Sequence, residues 1–142
     1  MNKNREILIY DTTLRDGTQG EGVSFTIDDK IKIVHELDKF GVHYIECGWP
    51  GSNPKDMELF DRLKSYKPVH TKITAFGSTF HPKNTADTDS NLNALIASCA
   101  KTITIFGKTW DLHVKFALKV SNQKNLELIK ESIHFLKKHH HN

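Results

Sequence analysis

The chain has 142 residues, a length that suits one domain rather than two. Hydrophobic residues make up 37% and charged residues 26%, which is typical of a soluble globular protein and excludes an intrinsically disordered chain. The formal net charge is only +3, and acidic residues are mixed among the lysines, so we expect no nucleic-acid partner. No apolar run reaches membrane-spanning length and residues 1–6 are polar, so we expect no membrane partner and a cytoplasmic location.

The cysteines, Cys47 and Cys99, are too few and too far apart for a disulfide framework or a zinc knuckle. Because free cysteine is among the most frequently buried residue types, we expect two reduced and mostly buried thiols.

Four times the sequence runs from a β-rich stretch into an amphipathic helix. The predicted strands are residues 6–13, 42–49, 70–78 and 102–109. The first predicted helix, residues 27–40, begins after Thr26 as N-cap and ends at Gly41, which favours the left-handed conformation at a helix end. The second begins with the capping pair Asn53-Pro54.

Helical spacing also predicts which side chains of these helices are buried. The predicted apolar faces are Ile33, Val34, Leu37 and Phe40 in the first helix, Met57, Phe60 and Leu63 in the second, Leu92, Leu95, Ile96 and Cys99 in the third, and Leu126, Ile129, Ile133 and Leu136 in the fourth. The fourth helical stretch breaks near Ser121-Asn122, and its main part is residues 125–139.

Strands that alternate with helices predict an α/β fold with parallel pairing and right-handed crossovers. An open doubly wound sheet and a (β/α)8 barrel both fit this pattern. A barrel needs about 250 residues, so this chain would supply half of one. No closing strand follows the fourth helix. We therefore expect residues 1–142 to be a single incomplete domain, the N-terminal half of a TIM barrel with four strands and four helices.

Polar residues and glycines follow each predicted strand, where ligands bind in both architectures. Arg15 and Asp16 follow the first strand, and a carboxylate beside an arginine suits a divalent ion that holds an oxyanion. Period-two alternation places Glu46 on the strand face opposite Cys47, so Glu46 should point into the barrel mouth with Arg15 as its partner. A surface ion pair between Arg15 and Asp16 is the alternative.

Three further features have weaker functional interpretations. The glycines of 18–22 lack phosphate-loop spacing. Trp49 and Trp110 suit pocket walls or packed aromatic residues equally. The terminal run His139-His140-His141 could ligate a transition metal, but a surface tail or a cloning remnant fits better at the end of a helix.

The first loop resembles a known family. Its sequence, DTTLRDGTQ over residues 11–19, is similar to the strand-one signature of the isopropylmalate, homocitrate and citramalate synthases. The stretches GWPGSNPKD over 48–56 and IFGKTWDLHV over 105–114 look like the citramalate branch of that family.

The resemblance implies a TIM-barrel acyltransferase that condenses acetyl-CoA with a 2-oxo acid, with pyruvate as the expected 2-oxo acid, in the biosynthesis of isoleucine. It also implies a divalent metal (Mg, Mn or Zn) bound by Asp16, with Arg15 catalytic because it neutralises charge on the keto oxygen. Gln19 and Glu46 match substrate-binding positions, while Thr12 and Thr13 would orient the loop. The full-length protein would be a homodimer.

In this family a His-x-His metal-ligand pair and the enolate-forming carboxylate come from the second half of the barrel. Because those residues lie outside this chain, we expect the chain alone to bind metal weakly and not to turn over. Two alternatives remain at this point: a metal-dependent carbon–carbon lyase on the same site, and a non-catalytic half-barrel that associates with itself through its open edges.

Overall fold

The computed structural model describes residues 6–140, which form one parallel β-sheet with helices packed against it. The strands lie in the order β1-β2-β3-β4. Their bounds are β1 Tyr10–Asp11, β2 Tyr44–Gly48, β3 Lys72–Ser78 and β4 Thr102–Phe106. The helices are α1 Ile27–Phe40, α2 Pro54–Leu63, α3 Ser90–Ala97, α4 Asp111–His113 and α5 Asn122–His139. A short 3-10 turn, Gly17–Gln19, follows β1, and a π-helical turn, Val114–Leu118, follows α4.

All three strand pairings are parallel, so the carboxyl ends of the strands lie at one edge of the sheet. The core lies between the helix-facing side of the sheet and the helices. Its fully buried members are Leu14, Val34, Ile45, Cys47, Leu59, Ala75, Leu92, Leu95 and Leu128. The predicted plan of alternating strands and helices is therefore present, with α4 as an additional short helix.

The bounds of α1 match the prediction because both ends carry strong local signals. The Thr26 side chain accepts from the Asp29 N–H while the Asp29 carboxylate accepts from the Thr26 N–H, which is a complete capping box. Gly41 ends the helix with φ 88°. The predicted burial of Phe40 is wrong, because this side chain is 81% exposed and the neighbouring Asp38 turns inward instead.

The first strand is much shorter than predicted. Only Tyr10–Asp11 has strand geometry, while Ile7, Leu8 and Ile9 are 82%, 51% and 50% exposed. The Ile9 carbonyl accepts from the N–H groups of His43 and Tyr44, but within residues 6–140 no strand pairs with the other side of this segment. The other three strands are also shorter than predicted: β2 lacks residues 42, 43 and 49, β3 lacks residues 70 and 71, and β4 lacks residues 107–109.

The buried face of α5 differs from the predicted stripe. Its buried side chains are Asn125, Leu128, Ser132 and Leu136, whereas Leu126 is 60% and Ile133 45% exposed. The cause is that α5 contacts α3 on one side and lies beyond the edge strand β4 on the other. Among the described residues no further element covers that outer side.

The prediction for the cysteines is correct for Cys47 and wrong for Cys99. Cys47 is fully buried, but Cys99 is exposed. Helix α3 ends at Ala97, and Cys99 then adopts a left-handed conformation with φ 55° that turns it away from the apolar face. Within residues 6–140, no helix has the length and apolar character needed to cross a membrane.

Candidate active site

The loop after β1 is a tight turn built on its own backbone. The Thr12 carbonyl accepts from the N–H groups of Arg15, Asp16 and Gly17. The Asp11 carboxylate accepts from the N–H and the hydroxyl of Thr13. Because Leu14 is fully buried, the turn is anchored in the core and presents Arg15 and Asp16 at the carboxyl edge of the sheet.

Arg15 has three distinct contacts at this edge. Its Nε donates to Glu46 Oε1 at 2.5 Å, and its Nη1 donates to Asp16 Oδ1 at 2.9 Å. Its guanidinium carbon lies 4.0 Å from the centroid of the Phe76 ring, a cation–π contact. The predicted pairing of Arg15 with Glu46 is therefore present, and the guanidinium is held in one orientation.

Glu46 is 1% exposed, and both of its carboxylate oxygens are bonded. The second oxygen accepts from the Tyr10 hydroxyl at 2.5 Å. Its neighbours along β2, Ile45 and Cys47, are fully buried in the core under the helices. The period-two alternation of β2 thus places Glu46 as predicted, on the face opposite the helices.

Asp16 lies beside this cluster but faces solvent, with its side chain 62% exposed. One of its oxygens accepts from Arg15, and the other has no hydrogen-bond donor within residues 6–140. A free carboxylate oxygen is a suitable hard ligand for a divalent ion. Gln19 lies exposed in the 3-10 turn, and its side chain makes no hydrogen bond with the described part of the chain.

The ligand set for a metal at this edge is incomplete among the described residues. Within residues 6–140, no cluster of three or more His, Cys, Asp or Glu side chains could hold a metal ion. The exposed oxygen of Asp16 fits a divalent cation as one ligand. The remaining ligands would have to come from other residues or from substrate and water.

Aromatic side chains form a wall next to Arg15. The rings of Phe76 and Phe106 stack with centroids 5.6 Å apart, and the Trp49 ring meets them edge-on at 5.3 and 6.1 Å. Trp49 Nε1 donates to Asn91 Oδ1 at 2.6 Å, which fixes the indole. A cleft of about 310 Å³ opens beside Trp49 and Phe106. Trp110, in contrast, is 54% exposed.

The backbone of this wall is fixed by a buried ion pair. Asp56 accepts from Lys30 Nζ at 2.7 Å and from the Trp49 N–H at 2.9 Å. Both side chains are about 10% exposed. Sequence reasoning missed this pair, because residues 26 positions apart on two helices carry no local signal of contact.

Sequence reasoning also missed Tyr10 and Thr104. The Tyr10 hydroxyl lies 2.8 Å from Thr104 Oγ1 as well as against Glu46. Burial and the bond to Glu46 raise the pKa of Tyr10 well above its ordinary value, so this phenol remains a donor at physiological pH. Strand alternation could have placed Tyr10 on the inner face of β1, but the contact between β1 and β4 depends on sheet curvature.

The histidine run at the end of α5 lies away from the site. His139 packs against Phe135 at 4.6 Å, and His140 Nε2 lies 2.7 Å from the carbonyl of Ala100, just before β4 begins. This is the amino end of the sheet, opposite Arg15 and Asp16. His141 lies outside the described residues.

Comparison with known families agrees with this arrangement. The family model described as HMGL-like matches residues 6–142. The chain belongs to the HMGL-like family.

Curated relatives are similar over nearly the whole chain. An (R)-citramalate synthase of Geobacter sulfurreducens is 56% identical over 131 residues, which is 92% of this chain and 25% of that protein. An (R)-citramalate synthase of Aquifex aeolicus is 49% identical, covering 94% of this chain and 25% of the relative. A 2-isopropylmalate synthase of Sulfolobus acidocaldarius is 32% identical, covering 96% and 33%. The chain spans about a quarter of the length of the citramalate synthases that it matches.

Solved structures of low identity share the fold. A hydroxymethylglutaryl-CoA lyase from Pseudomonas aeruginosa superimposes with a TM-score of 0.69 at 21% identity, covering 99% of this chain and 45% of that one. The HMG-CoA lyase from Brucella melitensis gives a TM-score of 0.63 at 17% identity, covering 93% and 46%. These enzymes are TIM barrels, so the predicted fold, parallel (β/α) units that make up part of such a barrel, is confirmed.

Proposed function

We propose that the full-length protein containing this chain condenses acetyl-CoA with pyruvate to give citramalate. The observation that carries the proposal is the orientation of Arg15, which Glu46 and Phe76 hold at the carboxyl edge of the sheet beside the exposed carboxylate of Asp16. The 56% identity to a protein named (R)-citramalate synthase supports the choice of substrate. The pathway we infer is isoleucine biosynthesis in the cytoplasm.

Each of these residues has a chemical role in the proposal. Asp16 would hold a divalent cation (Mg, Mn or Zn), and the chemistry that such an ion supplies when bound is Lewis-acid polarisation of a keto group. Arg15 is catalytic, because its guanidinium stabilises the negative charge that develops on the keto oxygen as the new carbon–carbon bond forms. Glu46 keeps the Arg15 guanidinium aligned, and it borders the substrate site together with Gln19. The rigid turn of Thr12 and Thr13 sets the position of both charged side chains.

The domain organisation follows from the same proposal. Residues 1–142 form the N-terminal half of a barrel, and the full-length enzyme is a homodimer. Within residues 6–140, Asp16 does not belong to any cluster of three potential ligands. We therefore expect the 142-residue chain alone to bind metal weakly and to show no turnover. Citramalate formation by the purified chain would contradict this expectation.

The test uses the full-length protein with pyruvate, acetyl-CoA and a divalent metal, with released thiol and citramalate as the measured products. Arg15→Lys should lower kcat/KM by about 10²–10³-fold, since a lysine cannot reproduce the bonds to both carboxylates. Asp16→Asn should weaken metal binding measured by calorimetry. Cleavage of a hydroxyacyl-CoA to acetyl-CoA without release of thiol, instead of condensation, would favour the lyase alternative.

Arg62→Lys is the matched control. Arg62 forms an ion pair with Asp28 at 2.8 Å, and both side chains are about half exposed or more. Because such exposed pairs contribute little, Arg62→Lys should leave kcat/KM within about twofold of the wild-type value. Equal losses in both variants would mean that Arg15 has no special role.

A further inference from the structure

Four side chains form a continuous hydrogen-bond chain across the inner face of the sheet. The Glu46 carboxylate accepts from Tyr10, so the phenolic proton is committed to Glu46. The Tyr10 oxygen is then free to accept from Thr104 Oγ1, 2.8 Å away. The chain runs from Thr104 on β4 through Tyr10 on β1 and Glu46 on β2 to Arg15.

The donors on Glu46 are divided evenly between its two oxygens. Tyr10 donates to Oε2 and Arg15 Nε donates to Oε1. Glu46 is 1% exposed, so an oxygen that lost Tyr10 would have no other protein donor within residues 6–140. A buried carboxylate with an unsatisfied oxygen is destabilised, which favours its rotation away from the position that Tyr10 held. Any such rotation of Glu46 also moves the bond to Arg15.

We propose that Tyr10 is a positioning residue of the active site. Its hydroxyl, itself oriented by Thr104, fixes the plane of the Glu46 carboxylate and thereby the direction in which Arg15 presents its guanidinium beside Asp16. The effect on catalysis rests on the proposed function, but the effect on Arg15 geometry does not.

Tyr44→Phe provides a matched control on the same surface. The Tyr44 ring stacks on Tyr10 with centroids 5.8 Å apart, yet within residues 6–140 its hydroxyl has no hydrogen-bond partner. Removing this hydroxyl alters the same tyrosine pair without touching Glu46.

The first experiment observes Arg15 directly by nuclear magnetic resonance of arginine Nε–H groups in the 142-residue chain, which has only three arginines (Arg5, Arg15 and Arg62). The resonance that disappears in Arg15→Lys is assigned to the Arg15 Nε–H. Tyr10→Phe should accelerate hydrogen exchange of the Arg15 Nε–H by about tenfold, and Tyr44→Phe should not change it. An unchanged Arg15 Nε–H in Tyr10→Phe would overturn the proposal.

Thr104 supplies a second pair of variants in case Tyr10→Phe does not fold. Thr104→Val removes the donor at nearly constant volume and should accelerate the same exchange by a few-fold, while Thr104→Ser keeps the hydroxyl and should restore the wild-type rate. Equal exchange rates in the valine and serine variants would show that the hydroxyl has no role.

The second experiment measures steady-state kinetics of the full-length protein. Tyr10→Phe should lower kcat by about tenfold while KM for acetyl-CoA stays within twofold, because positioning of Arg15 acts on the reacting oxygen and not on thioester binding. If Tyr10→Phe accelerates exchange of the Arg15 Nε–H as predicted but the wild-type full-length protein forms no citramalate, only the proposed function is refuted. Wild-type kinetics in Tyr10→Phe would refute the catalytic consequence of the positioning.

Discussion

At Gly48 the backbone passes so close to the Asp56 side chain that no methyl group fits. A Cβ at this position would lie 2.4 Å from the carboxyl carbon of Asp56. Asp56 cannot move away easily, because Lys30 and the Trp49 N–H both hold its carboxylate. Glycine at this position therefore allows the end of β2 to bring Trp49 next to the site.

The first prediction concerns this close approach. Gly48→Ala should reduce the free energy of unfolding by about 1–3 kcal/mol, since the added methyl group forces apart a buried ion pair. Urea denaturation monitored by circular dichroism measures the change. Gly17→Ala is the control, because its nearest neighbour would lie at an ordinary 3.8 Å. A Gly48→Ala variant within about 0.5 kcal/mol of wild type would contradict the prediction.

At the level of single residues, the sequence predicted contacts that are short along the chain or follow from strand alternation. Arg15 and Asp16 are adjacent, and alternation in β2 was enough to point Glu46 toward Arg15. Tyr10 and Thr104 are 94 positions apart, and their contact depends on how far the sheet curls. The curvature of the sheet cannot be predicted from the residue pattern of a single sequence.

Helix α1 is tied to the segment before β3 by one buried carboxylate. Asp38, which is 3% exposed, accepts hydrogen bonds from the Tyr66 hydroxyl and from the N–H groups of Val69, His70 and Thr71. Burial by itself would raise the pKa of Asp38, but these four donors outweigh it and lower the pKa to about 2. The carboxylate thus orders the turn that leads into β3.

The second prediction is a pH dependence that arises from Asp38. Because its folded-state pKa lies below the unfolded value of about 3.9, the stabilisation is complete above about pH 5 and is lost as the pH falls through the folded pKa. The shift corresponds to about 2–3 kcal/mol. Asp38→Asn should lose a similar amount at pH 7, since its amide cannot accept from all four donors, and its stability should fall less between pH 5 and 2.

Urea denaturation of both proteins across this pH range measures the effect. Asp61→Asn is the control, because within residues 6–140 the Asp61 side chain forms only an exposed ion pair with Lys64 and should contribute less than about 0.5 kcal/mol. Parallel stability curves for wild type and Asp38→Asn at all pH values would show that Asp38 does not cause the acid sensitivity.

Among the elements, those with capping signals were predicted best. The bounds of α1 were correct because Thr26, Asp29 and Gly41 specify them locally. The face of α5 was predicted less well, because helical spacing identifies an apolar stripe but not the neighbour that covers it. Leu126 and Ile133 belong to that stripe and yet are largely exposed, because β4 is an edge strand of the described sheet.

On the scale of the whole molecule, the sheet order leaves β1 and β4 at the two edges. Beside β4 lies a largely apolar groove of about 330 Å³, which is lined by Ile103, Ile105, Ile133, Leu136, Lys137 and His140. Near β1, Ile7 is 82% exposed. Unpaired edges next to apolar surface favour association with other chains.

The third prediction follows from these edges. The purified 142-residue chain should associate as its concentration rises, and Ile133→Lys should weaken that association by placing a charge in the groove. Val69→Lys is the control, because Val69 is 79% exposed but does not line the groove. Sedimentation velocity measures both. A single monomeric species of the wild-type chain at every concentration would contradict the prediction.

Whole-molecule architecture was only partly decided by the strand and helix pattern. Alternation of strands and helices specified a parallel sheet, but it fitted an open doubly wound sheet as well as a barrel. The strand-one motif that contains Arg15 and Asp16 indicated the barrel. The periodicity of apolar residues cannot distinguish an open sheet from a barrel, because the local burial pattern of a βα unit is the same in both architectures.

Because the two thiols differ in exposure, their alkylation rates can report how often the sheet separates from its helices. Cys99 lies in contact with solvent, whereas Cys47 is sealed in the core, where burial raises the pKa of its thiol far above the ordinary value. An alkylating reagent should therefore modify one sulfur at once and reach the other only when the sheet separates from its helices. The rate of the slow alkylation phase would measure how often that separation occurs, without any engineered label.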